Sequence, residues 1–243
     1  MTLDEFNVEF DIYYNNISSN QAPGLNTYEK SVFLTKGQEE ILKNHFNPKG
    51  NKYIEGFDDN EKRQADFSAI IVTKALSSGT LPEEEPQIDE RSVLFTAPDN
   101  LLFSLNERLL DQDTGVGYNI KPISYQEYSR LMNKPYAMPL KRQAWRLIHT
   151  TSDGDILYEV ISNAPEDNEL TYIIRYVRTP KPIILEDLEG DYEGLSINGE
   201  TEASECELNP SLHREILQRA VELAKIAFEA GTNNIIEAGQ RSE

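Results

Sequence analysis

One stretch near the end of the chain, residues 209–230, constrains the fold more than any other. Asn209 can accept a hydrogen bond from first-turn amides, Pro210 pre-sets φ at the first helical position, and Gly231 follows as a stop. Leu212, Ile216, Leu217, Ala220, Val221, Ala224, Ala227 and Phe228 recur at three- and four-residue steps. That spacing predicts a helix of about 31 Å with one apolar stripe. Such a stripe must be buried, either on its own domain or on a neighbouring subunit. Leu212, Ile216, Leu217, Ala220, Val221, Ala224 and Phe228 are therefore candidates for an assembly interface.

The 243 residues are 38% hydrophobic, enough for one large or two small cores. Lys and Arg number 23 against 42 Asp and Glu, a formal charge of −19. That excess disfavours adhesion to nucleic acid or to an anionic membrane, both of which need surplus cations. A single cysteine, Cys206, excludes an internal disulfide and suits a reducing compartment. The acidic N-terminus does not read as a secretory signal, and no apolar run approaches membrane-spanning length.

Thr2 with Glu5 forms a capping box ahead of Leu3, Phe6, Phe10, Tyr13 and Ile17, which predicts a helix over residues 3–17. Residues 19–24 read as a loop. Tyr28, Val32 and Phe33 suggest a short helix, and Thr35 with Gln38 a second capping box opening another that ends before Asn47 and Pro48. Residues 49–57 form a polar loop, and Asp58 with Glu61 starts a helix expected to run to about Leu76. From Arg91 the pattern alternates. Strands are expected at residues 92–96, 101–105, 145–149, 156–160 and 172–176, with turns at residues 151–155 and 164–168, the last strands forming a three-stranded antiparallel meander. Ser124 with Glu127 caps a short helix over residues 124–132. The fold class is α+β: an N-terminal helical half, a central antiparallel β-meander and a long C-terminal helix. The organisation reads as a helical region 1–80, a mixed region 81–185 with the sheet, an acidic linker 186–208, the helix 209–230 and a polar tail 231–243.

Catalytic signatures are missing. His45, His149 and His213 stand in no HExxH, paired-ligand or triad context. Glu205 and Glu207 flank Cys206 and disfavour its thiolate. Residues 111–115 lack the distal glutamate of a calcium loop and read as a polar turn, and residues 115–117 are too short for a dinucleotide fingerprint. No catalytic, cofactor or metal residue is assigned. A metal-dependent hydrolase with a dispersed carboxylate site and an acidic DNA-mimic binder are the alternatives that the composition permits. Charge patterning is more informative: residues 186–207 hold nine acids and no base, whereas Arg130, Lys134, Lys141, Arg142 and Arg146 lie in an acid-free stretch, 128–152. A positive loop on one copy and a negative ribbon on the next would make a repeating, heterologous contact.

Residues 33–41 with 47–51, then Lys134, Pro135 and Tyr136 leading through Pro139 to Trp145 and Arg146, and finally residues 206–225 resemble the ring proteins of crAss-like bacteriophage tails. The three stretches occur in the family's order, and the likeness runs from residue 2 to about residue 230. The resemblance implies a non-enzymatic virion structural protein of the head-to-tail connector, assembled in the host cytoplasm. It implies a closed, twelve-fold homo-oligomeric ring that docks on the portal protein and other tail ring proteins, with genomic DNA passing through the channel without specific binding, no membrane and no cofactor. Lys134, Tyr136, Lys141, Arg142, Trp145 and Arg146 join the C-terminal stripe as candidate assembly residues.

Overall fold

The computed structural model describes residues 1–15, 24–46, 65–81, 86–134, 138–165, 167–189, 192 and 194–240, with residues 229–240 as helix backbone only. The loop expected at 19–24, apart from Gly24, the loop at 49–57 and the start of the helix expected from Asp58 lie outside the described residues. The chain is α+β and divides into two compact units, Met1–Ile70 with Pro180–Glu243, and Ile71–Thr179.

Among the described residues the first unit is built chiefly on α1 (Leu3–Asn15), α2 (Thr27–Phe46) and the C-terminal helix Pro210–Gln240. α1 starts on the capping box foreseen: the Thr2 amide donates to Glu5 at 2.9 Å and the Glu5 amide to Thr2 Oγ1 at 3.3 Å. It buries Phe6, Phe10 and Tyr14. α2 is one helix of 20 residues, not two. Its capping box is Asn26 with Glu29, whose amides exchange bonds with each other's side chains at 2.8 and 3.0 Å. Thr35 and Gln38, expected to open a second helix, instead face inward and bind backbone. Thr35 Oγ1 pairs with the Ile183 amide and carbonyl, Gln38 Nε2 donates to the Lys181 carbonyl, and Ser31 Oγ accepts from the Leu185 amide.

These bonds hold the acidic stretch after residue 180 against α2 as an ordered segment. Ile184, Leu188 and Ile197 form its own small core with Tyr28, Val32 and Tyr192. Asn198 and Gly199, at φ of 51° and 87°, turn the chain tightly between Ile197 and Glu200, the left-handed pair that an Asn-Gly turn supplies. The terminal helix begins at Pro210, as expected, with Asn209 Oδ1 accepting from the Ser211 amide at 3.0 Å. Its backbone continues past Gly231 to Gln240, because a single glycine weakens a helix by only about 1 kcal/mol.

The second unit is a seven-stranded sheet in the order β1-β7-β3-β4-β5-β6-β2, comprising β1 (Ile71–Leu76), β2 (Val93–Thr96), β3 (Leu101–Asp111), β4 (Gly117–Pro122), β5 (Gln143–Thr150), β6 (Ile156–Ile161) and β7 (Leu170–Arg178). The helix expected to reach Leu76 is corrected: residues 71–76 are β1, paired with β7. The β-branched run Ile71, Val72, Thr73 suits a pleated, half-buried edge better than a helix. The three-stranded meander is corrected too. β5 and β6 form the hairpin expected around residues 151–155, but β7 lies between β1 and β3, because β2 occupies the other edge of β6. β4 pairs in parallel with β5, which requires a crossover. It carries α3 (Tyr125–Met132), whose cap is the expected Ser124 side chain accepting from the Glu127 amide. The terminal helix Pro210–Gln240 is α4.

The sheet curls until its two ends meet. The Gly79 amide donates to the Leu94 carbonyl at 2.8 Å and the Thr96 amide to the Ser77 carbonyl at 3.1 Å, joining the chain just beyond β1 to β2. This seals part of the open edge. Leu109, Tyr118, Tyr158, Val160, Tyr172, Ile174 and Tyr176 fill the interior. Ile123, Tyr128, Trp145, Leu147 and Ile161 form a second core between the sheet and α3.

Candidate assembly interface

The apolar stripe of α4 is consumed by its own unit. Leu212, Ile216, Leu217, Ala220, Val221 and Ala224 are all at most 5% exposed, packed with α1 and α2. Each fully buried Leu, Ile or Val contributes roughly 1.5–3 kcal/mol. The helices approach so closely that a Cβ on Gly37 would lie 3.0 Å from the Ile216 carbonyl oxygen and 3.1 Å from the Ala220 nitrogen. Phe228 is the exception among the candidates. It is half-buried at the rim of a 340 Å³ groove that α1, α2 and α4 leave open. Tyr14, Tyr28, Val32, Phe33 and Ala224 line this groove, and Glu29 is the one carboxylate among its described lining residues.

The basic stretch separates into buried and exposed members. Arg146 is inside the barrel, its Nε donating to Glu107 Oε2 at 2.8 Å, with both side chains under a tenth exposed. Tyr172 donates to the same oxygen at 3.0 Å, and the Tyr158 ring lies 4.5 Å from the guanidinium. Burial, reinforced by the Glu107 charge, pushes the Tyr172 hydroxyl well above its ordinary pKa, so it stays a neutral donor. Trp145 is buried against α3. Lys134, Lys141 and Arg142 are exposed, together with Arg130. Tyr136 lies outside the described residues.

Between these cations the loop ahead of β5 is firmly held. Asn163 Nδ2 donates to the Pro139 carbonyl, the Gln143 amide to the Leu140 carbonyl at 2.8 Å, and the Arg91 guanidinium lies against the Met138 sulfur. Arg91 is fixed in turn by Asp89 at 2.7 Å. The buried Glu159 sets the preceding turn, Oε1 accepting from the Ile88 and Asp89 amides and the Ser92 hydroxyl. Leu140 stands out from this support 73% exposed, and Met138, two residues before it, is 37% exposed.

Sequence reasoning missed the inward polar row Ser31, Thr35 and Gln38. Its signal is present, as polar residues spaced by four and three on a helix share a face. Cys206 sits beside Gln38 in that region, and burial, with Glu207 adding, pushes its thiol up to about 11, which keeps it a thiol. His213 is buried, bonded to the Leu208 carbonyl and the Met1 amino group, while His45 packs on the Phe67 ring. Asp111 takes the Asp113 and Thr114 amides and the Asn168 side chain, making the polar turn expected at residues 111–115. Among the described residues, no three His, Cys, Asp or Glu side chains converge as a metal set, and no helix is long and apolar enough to cross a membrane.

Residues 1–235 match the family described as phage tail ring protein 3/4. The chain is 51% identical over its whole length, and the relative's whole length, to "Ring protein 4/5" of Bacteroides phage crAss001. It is 33% identical to "Ring protein 3" of the same phage, over 96% of this chain and 99% of that one. A match that covers both units and the segments joining them is a match of the whole architecture, and the chain belongs to the phage tail ring protein 3/4 family.

Proposed function

We propose that this chain is a non-enzymatic structural subunit of a phage particle that closes into a ring with copies of itself. The observation that carries the reading is the end-to-end similarity to two differently named ring proteins of one phage, stronger toward Ring protein 4/5 than toward Ring protein 3. The ring has twelve copies, stacks on related rings and on the portal in the head-to-tail connector, and surrounds the channel through which DNA leaves. Its subunit charge of −19 suits that place, because a collar that gripped phosphate would retard the passing duplex. The outward cations Lys134, Lys141 and Arg142 belong to contacts between proteins in this reading. The buried part of the α4 stripe serves assembly indirectly, by holding α2 and the acidic segment in shape.

Mass photometry of the purified chain, alone and mixed with its portal, tests this. The expected result is a discrete oligomer of ring mass in at least one condition. A chain that stays monomeric in both counts against the proposal.

A further inference from the structure

A ring built by heterologous contacts needs two different, complementary surfaces on each copy. The two units each display one. In the barrel unit, Leu140 is the most exposed large apolar side chain among the described residues, held on a backbone fixed at Pro139 and Leu140. Exposed Arg130, Lys134, Lys141 and Arg142 surround it in sequence, and none of them is ion-paired with a described carboxylate. A pre-fixed apolar tip with a cationic rim loses little entropy on docking.

The helical unit displays the converse. Its groove is lined by apolar side chains, carries Glu29, and shares Tyr28 and Val32 with the packing face of the acidic segment. On that segment Leu188 points inward, while Glu186, Asp187 and Glu189 are exposed. By sequence this unit holds 12 bases against 26 acids, and the barrel unit 11 against 16.

We propose that the Leu140 tip of one copy inserts into the α1, α2 and α4 groove of the next copy, with Lys141 and Arg142 against the carboxylates at residues 186–189. The occupant is thus a second copy of this chain. The inference rests on the ring reading and adds the surface that closes the ring. Groove and tip provide the apolar anchor, and the charges set orientation and encounter rate.

The test is a full-length double variant, Leu140→Cys with Ala227→Cys, both at exposed positions, treated after assembly with a short bismaleimide. The expected result is a covalent ladder on a denaturing gel rising to the ring, absent in either single variant, each of which retains Cys206. In parallel, Leu140→Asp raises the concentration for half-assembly by about tenfold or more, whereas Leu140→Met preserves it. Rings that form normally but give no ladder overturn this inference and leave the ring reading standing. Dimers from Leu140→Cys alone also overturn it, since the tips would then meet each other. A wild-type chain that forms no ring in any condition removes the underlying reading as well.

Discussion

The helical unit and the barrel differ in how deeply they bury charge, the Lys30 pair of the first opening to solvent at Asp11 and the Glu107 pair of the second lying wholly inside. In the helical unit, neutral side chains on α2 read the backbone of residues 181–185, the buried Lys30 ammonium reaches a half-exposed Asp11 carboxylate at 2.7 Å, and the rest of the core is apolar contact between closely approaching helices. In the barrel, a full ion pair, Glu107 with Arg146, lies inside the sheet under Tyr158 and Tyr172. Stability in the first therefore depends on contour, where a methyl group too many or a charge is damaging. Stability in the second depends on pairing, where losing one partner is worse than losing both. The contrast extends outward, the helical unit presenting an apolar groove with Glu29 and exposed carboxylates at residues 186–189, and the barrel exposed cations with an apolar tip at Leu140.

The sharpest way to break the contrast is to place charge in the contour-dependent core. Ile216→Asp with Val221→Asp buries two unpaired carboxylates at positions 0% and 3% exposed. Costs of several kcal/mol per site approach the whole stability of a domain of roughly 5–15 kcal/mol. The double variant is expected to lose helical circular dichroism and a cooperative urea transition. A native-like transition would show that the α4 stripe is not the core of its unit.

In the barrel, Arg146→Met leaves Glu107 uncompensated and is expected to cost about 3–5 kcal/mol by urea denaturation. Glu107→Leu with Arg146→Met should recover most of that loss. Additive losses in the double variant would deny that pairing governs the interior. Gly37→Ala tests the closest helix approach. Overpacking of about 1–3 kcal/mol outweighs the helix-propensity gain of about 1 kcal/mol, so a net loss is expected, and a gain would show slack between α2 and α4.

The smallest effect is a pH dependence confined to the helical unit. Burial, with the nearby Met1 amino group, holds the His213 pKa below its usual 6.5 against the opposing Leu208 bond. The unfolded chain therefore takes up a proton more readily. Stability is full above 6.5 and declines as pH falls from there through the lowered folded value. Urea midpoints measured between about pH 5 and 8 should show this slope, flattened in His213→Gln. An equal slope in the variant would assign the pH dependence elsewhere.

Local signals were legible in the sequence because their partners are three or four residues away. The Thr2 and Ser124 caps, the turns at residues 111–115 and 151–155, and the alternating strands β5 and β6 all formed as read. Long-range choices were not. Nothing local says that β7 joins β1 and β3, since both faces of that decision are set by which edges remain unpaired. β4, with exposed Asn119 and Lys121, has too little apolar alternation to stand out. Thr35 and Gln38 mimic a cap because the same hydrogen-bonding groups serve to bind a distant backbone. The α4 pattern shows that one face is buried but carries no information on the partner. Arg146 and Trp145 likewise sit in a basic stretch, where the alternation of β5 turns Arg146 into the barrel and Trp145 onto α3, burying both.

Electron cryo-microscopy of the purified chain assembled under the conditions that give its largest oligomer tests the central claim most directly. The expected result is end-on class averages showing a closed annulus of identical subunits, each joined to the next by contact of a barrel unit with the neighbour's helical unit. Compact particles without a central opening, or two-fold pairs joined through the same face, would contradict it.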